Sequence, residues 1–168
     1  MNRYYLAYGM NTNLEGMKNR CPAAISHGKV TLKNHKLAFR GVCDIVKTRG
    51  QDMECVLWTI TEACEKSLDA LEGYPYMYNK KMVQVDYQGK KINAMIYYMV
   101  DSSRLSLPSE YYLRMVAEGY KEHGVDEHQI PTALKEAINQ ENNNAHNFRI
   151  RSSRKAKRKL HRSRTRNF

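Results

Sequence analysis

Apolar and polar positions along the chain predict a body rich in strands, with helices between them. Arg3–Tyr8 reads as a strand, with Leu6 and Ala7 among tyrosines at positions 4, 5 and 8. The turn Gly9-Met10-Asn11-Thr12-Asn13 leads into a short helix over Leu14–Arg20, stopped before Pro22. Lys29–Leu32 and Lys36–Arg40 read as strands joined around Lys33-Asn34-His35. Residues 42–53 are polar and carry Gly50, which predicts a loop. Cys55–Ile60 is a compact apolar strand holding Trp58.

Thr61 is placed to cap a helix over Glu62–Leu71, whose Glu62 and Glu65 suit the positive end of the dipole. Cys64, Leu68 and Leu71 recur at i, i+4 and i+7 and give it one apolar face, and Gly73 stops it. Tyr78–Tyr87 and Lys91–Val100 flank Gln88-Gly89-Lys90 as a hairpin; the second is apolar on both sides, as for a central strand. Pro108-Ser109 opens a helix to His123, closed by Gly124, and Pro131 opens a last helix through Gln140. The expected fold is α+β: a small mixed β-sheet or barrel of about six strands with flanking helices, over residues 1–141. Residues 142–168 are expected to form a basic, disordered tail.

Charge sharpens that division. Lys and Arg number 28 against 17 Asp and Glu, a net of +11 over 168 residues. Ten of the basic residues lie between Arg149 and Phe168, where there is no acid. Removing them leaves 18 basic against 17 acidic residues over 1–148, a nearly neutral body. With 42% hydrophobic residues the chain is too apolar to be disordered throughout. No apolar run approaches the roughly 20 residues a membrane helix needs. Tyr4–Tyr8 is too short for a secretory signal and reads as the first strand. Cys21, Cys43, Cys55 and Cys64 form no C-x-x-C pair and have no His at metal-ligand spacing; they read as buried reduced thiols of a cytoplasmic protein, with a disulfide framework as the alternative. The six His are scattered and receive no catalytic role.

Three features could carry chemistry. Tyr8-Gly9-Met10-Asn11 lies between a strand end and a helix start, where successive backbone N–H groups make a concave anion site and Gly9 permits close approach. Taken alone, a strand-to-helix turn with no ligand accounts for it. Glu72 sits where the preceding helix should end; the negative end of the dipole and burial among Tyr74, Tyr76 and Tyr78 would both raise its pKa toward that of a general base. Taken alone, an exposed helix-end Glu accounts for it. Tyr74, Tyr76, Tyr78, Tyr111 and Tyr112 are core residues by default, or else a pocket lining with hydroxyl donors.

The order of these motifs says more than each one. Tyr8-Gly9-Met10-Asn11 is followed by Arg20-Cys21-Pro22-Ala23-Ala24, Leu68-Asp69-Ala70-Leu71-Glu72-Gly73, Met77-Tyr78, Pro108-Ser109-Glu110-Tyr111-Tyr112 and Gly124-Val125. Over about residues 3–138 this set resembles the γ-glutamylcyclotransferase (AIG2-like) family. The resemblance implies a substrate loop at Tyr8, Gly9, Met10 and Asn11, a catalytic acid/base at Glu72, and pocket tyrosines at Tyr78 and Tyr112. It implies cyclisation of a small γ-glutamyl peptide or amine to 5-oxoproline with release of the amine, without metal or cofactor. Met10 departs from the pattern, since the family usually has Ser there. The alternative is an inactive ligand- or partner-binding protein of the same fold.

The tail carries a separate expectation. Arg154, Lys155, Lys157, Arg158, Lys159, Arg162, Arg164 and Arg166, spaced by Ser and Thr, suit contacts to a nucleic-acid phosphate backbone. A solubilising tail and a nuclear-type address are the competing readings. It has no apolar stripe for membrane insertion.

Overall fold

The computed structural model describes residues 3–102 and 104–164, with side chains as far as Arg149 and that of Arg151, save Ser103. Strands β1 (Arg3–Ala7), β2 (Ile25–Leu32), β3 (His35–Phe39), β4 (Cys43–Lys47), β5 (Met53–Ile60), β6 (Tyr78–Tyr87) and β7 (Lys90–Met99) are interleaved with helices α1 (Leu14–Arg20), α2 (Glu62–Leu71), α3 (Glu110–His123) and α4 (Gln129–Arg164). Three helix starts carry side-chain caps, the expected one at Thr61 among them. Asn13 accepts from the Gly16 amide, Thr61 from that of Cys64, and Ser109 from that of Tyr112. Gly124 closes α3 in the left-handed conformation, φ 62°.

Five strands form one mixed sheet in the order β2-β5-β1-β7-β6, and β3 and β4 form a separate antiparallel ladder. Within the large sheet β1 is central, antiparallel to β5 and parallel to β7. Its Tyr5, Leu6 and Ala7 are accordingly buried. The sheet is open rather than a closed barrel. Its edges, β2 and β6, meet through side chains: the rings of His27 and Tyr87 stand edge-on at 5.5 Å.

The fold is the expected α+β class, with local differences. A seventh strand, β4, occupies part of the segment read as a loop. Its second residue is Asp44, a buried carboxylate that breaks the apolar pattern. Asp44 is satisfied by the Arg40 guanidinium at 2.8 Å and the Met99 amide at 2.9 Å. Strand β2 begins at Ile25, earlier than expected, because a bulge between Ser26 and Lys29, with Gly28 at φ 80°, interrupts its alternation. The last helix starts at Gln129, continues past Gln140 and runs to Arg164. After Pro131 the sequence has neither Pro nor Gly to break it. Ile130, Ala133 and Ala137 of this helix are buried, whereas every side chain from Glu141 to Arg149 is exposed. All four cysteines are free and buried. No helix among the described residues is long and apolar enough to cross a membrane.

Candidate active site

A cavity of about 230 Å³ opens beyond the C-terminal end of β1, and Tyr8, Gly9, Met10, Asn11, Glu72, Tyr78 and Tyr112 all line it. These seven are the residues the sequence singled out, drawn together from four parts of the chain.

The chain leaves β1 at Tyr8 and tightens into a 3-10 turn over Met10–Thr12. The Thr12 amide and hydroxyl both donate to the Gly9 carbonyl, at 2.9 and 2.8 Å, and the Asn13 amide donates to the Met10 carbonyl at 3.2 Å. The amides of Gly9, Met10 and Asn11 meet no acceptor among the described residues. Three adjacent N–H groups beside a cavity are the kind of donor set an anion can use. Gly9 is required by close approach: a Cβ there would stand 2.9 Å from the Tyr112 hydroxyl and 3.1 Å from Cys43 Cβ. Behind the turn, α3 presses its backbone against it at Gly119. A Cβ at that position would lie 2.2 Å from Thr12 Oγ1 and 2.6 Å from the Asn13 nitrogen.

Glu72 is the residue that ends α2, its amide donating to the Leu68 carbonyl at 2.8 Å. Asn11 Nδ2 donates to its Oε1 at 2.9 Å. Burial pushes the carboxyl up to about 7; the hydrogen bond from Asn11 and the charge of Arg20 pull the other way. Near neutral pH the group therefore holds and releases a proton with comparable ease.

The remaining walls are neutral hydrogen-bonded tyrosines. Tyr78 donates its hydroxyl proton to the Cys43 carbonyl, and the Cys43 amide donates to Tyr112 at 2.9 Å. Tyr8 donates to the Tyr97 carbonyl at 2.8 Å, and Tyr120 to the Tyr8 carbonyl at 2.9 Å. Burial pushes the phenols of Tyr8, Tyr78 and Tyr112 up, which keeps them protonated donors. Tyr74, Tyr76 and Tyr111 do not line the cavity, and Tyr76 is 89% exposed. The loop after Gly73 carries the first two over the surface, so of the three tyrosines expected around Glu72 only Tyr78 lines the cavity with it.

Sequence reasoning missed several contributors. Cys43 and Val42 lie in the segment read as a loop, and Tyr5 and Tyr97 come from neighbouring strands of the large sheet. Arg20 reaches Asn11 Oδ1 at 3.1 Å from the last turn of α1; its place in the Arg20-Cys21-Pro22 motif was the available signal. Among the described residues no group of three His, Cys, Asp or Glu is gathered as a metal site. The side chains of Arg154, Lys155, Lys157, Arg158, Lys159, Arg162 and Arg164 lie outside the described ones, and Arg166 lies outside the described residues altogether.

A family model described as gamma-glutamyl cyclotransferase, AIG2-like, matches residues 5–114. Among solved structures the chain is similar to one titled gamma-glutamyl cyclotransferase, with 26% identity and a TM-score of 0.70, over 80% of this chain and 87% of that one. It is similar also to an uncharacterized protein from Homo sapiens, with 26% identity and a TM-score of 0.69, over 79% and 86%. Bacillus subtilis YkqA shares the fold at 18% identity and a TM-score of 0.68, over 82% of this chain and 54% of YkqA. No curated protein matches the sequence significantly.

Proposed function

The chain belongs to the gamma-glutamyl cyclotransferase, AIG2-like family, and on that premise we propose that it cyclises a γ-glutamyl compound to 5-oxoproline and releases the amine. The observation that carries this reading is a half-buried carboxyl held at about 7 beside three unpartnered backbone amides in one cavity.

The substrate's α-ammonium must lose a proton before its nitrogen can attack the γ-carbonyl. Ionised Glu72 takes that proton. The nitrogen bonds to the carbonyl carbon and Glu72 returns the proton to the amine nitrogen as the amide C–N bond breaks; the second proton, shed by the attacking nitrogen as it becomes the lactam N–H, passes to the released amine, which leaves as an ammonium. The amides of Gly9, Met10 and Asn11 hold the α-carboxylate or the developing oxyanion, a role that needs no side chain. Met10 in place of the family's Ser is compatible with this, since only backbone is used. Nucleophile and electrophile share one molecule, so the site's task is to fold the substrate into the ring-closing shape; well-oriented intramolecular reactions reach effective molarities of about 10⁵ M or more.

Purified protein is expected to release 5-oxoproline from at least one member of a panel of γ-glutamyl peptides and amines, and Glu72→Gln to release none while staying folded. No release by the wild type, or equal release by the variant, overturns the reaction. An inert protein that still binds such compounds in the cavity is the inactive binding protein of the same fold.

The basic extension supports a second activity, separate from turnover. Ten positive charges without an acid between Arg149 and Phe168, nine of them on the helical backbone that ends at Arg164, favour nucleic acid through phosphate contacts. Deleting residues 145–168 is expected to abolish salt-sensitive binding to nucleic acid and leave turnover unchanged. Binding that survives the deletion refutes the assignment.

A further inference from the structure

Arg20 belongs to no wall of the cavity, yet it is built into position. It lies in the last turn of α1, and its guanidinium folds back over Gly16, one turn earlier. A Cβ at Gly16 would stand 2.7 Å from Arg20 Nη1, so the missing side chain is the trough in which the guanidinium lies. From there Nη1 donates to Asn11 Oδ1 at 3.1 Å.

Asn11 is 4% exposed and uses its whole amide. The carbonyl accepts from Arg20, and Nδ2 donates to Glu72 Oε1 at 2.9 Å and to the Tyr5 hydroxyl at 3.1 Å. A buried carboxamide has two orientations related by a half-turn. One presents N–H to Glu72 and favours the carboxylate; the other presents oxygen and favours the protonated acid. A guanidinium has only donors, so the group beside it must be the carbonyl. Fixing that end fixes the other.

We propose that Arg20 is a positioning residue for Glu72, acting through the orientation of the Asn11 amide. Arg20 thereby holds Glu72 in the ionised, proton-accepting form. The proposal rests on the reading of Glu72 as the proton carrier. Tyr5 of β1, Tyr8 just beyond it, Cys43 of β4, Tyr78 of β6 and Tyr97 of β7 also face Glu72. Burial pushes all of these up, so they are neutral at working pH, and Arg20 is the charged partner in the group.

The test is a double-mutant cycle read by two methods. Arg20→Met and Arg20→Lys are made in the wild type and in Asn11→Ala. Glu72 titration is followed by NMR of ¹³C-carboxyl-labelled glutamate, and kcat/KM is followed against pH. Arg20→Met is expected to raise the titration midpoint, and a midpoint higher by one on the pH scale lowers turnover on the acid side about tenfold. Arg20→Lys, which keeps a donor without an acceptor, restores part of it. With Asn11 removed, Arg20→Met moves the midpoint much less. An unmoved midpoint in Arg20→Met overturns the proposal. So does an equal displacement with and without Asn11, which would assign the effect to charge alone. Absence of turnover in the wild type refutes the proposed reaction but leaves the titration cycle able to decide the role of Arg20.

Discussion

Glu72→Gln replaces a carboxyl that burial holds at about 7 by an uncharged group of the same shape. In the unfolded chain the carboxyl titrates near its ordinary value of 4.5. Between the two values the folded protein binds a proton that the unfolded chain does not. The linked stability is therefore fully present below about pH 4.5 and is lost as pH rises through about 7. The displacement corresponds to about 3 kcal/mol, since a tenfold change in proton affinity is worth about 1.4 kcal/mol. Gln has no such titration, and its carbonyl can still accept from Asn11 as Oε1 does in the wild type. Urea unfolding of both proteins at 25 °C, from about pH 4 to pH 8.5, measures the difference. The stability of the variant relative to the wild type is expected to rise by about 3 kcal/mol across that range, while turnover is lost throughout. A pH-independent difference, or one that moves toward the wild type at high pH, refutes the account of Glu72 as a carboxyl whose proton affinity burial raises.

Gly119→Ala is expected to push Thr12 and Asn13 off α3, costing about 1–3 kcal/mol in urea unfolding and lowering kcat/KM although residue 119 lies behind the cavity wall. Tyr112→Phe leaves the Cys43 amide without its acceptor and is expected to cost about 1–3 kcal/mol in the same assay, more than a surface Tyr76→Phe. Met10→Ser keeps the backbone amides and changes only a wall of the cavity; kcat/KM is expected to stay within about tenfold of the wild type, and a loss near that of Glu72→Gln would show that the turn acts through its side chain.

The parts of the site that could be read from sequence are those carried by contiguous residues. Tyr8–Asn11 and Leu71–Gly73 each combine a structural punctuation, Gly9 or Gly73, with a group whose chemistry is visible in one dimension. Strand β4 was hidden because Asp44 interrupts its apolar alternation, and its reason for being inside, Arg40 on one side and the Met99 amide on the other, exists only in three dimensions. Cys43 and Val42 were hidden with it. Gly16 and Gly119 are a subtler case. Both sit in helices, where glycine costs about 1 kcal/mol relative to Ala; Gly16 answers to the Arg20 guanidinium one turn on in the same helix, and Gly119 to Thr12 and Asn13, brought close by folding. The end of packing on α4 was legible from the loss of apolar residues after Gln140, but the helix itself persists, because a polar composition without Pro or Gly gives no signal to stop.

The contact at Gly119 has a consequence for dynamics. A loop cushioned by side chains can fluctuate while its support stays still; here backbone lies on backbone, so the turn and α3 must part together. Hydrogen exchange at Thr12 and Asn13 is then gated by an opening of α3, not by flicker of the loop. The turn that borders the cavity rests on helix backbone at Gly119. On the proposed reading, the conformational entropy of the turn is lost when the chain folds, before any substrate arrives.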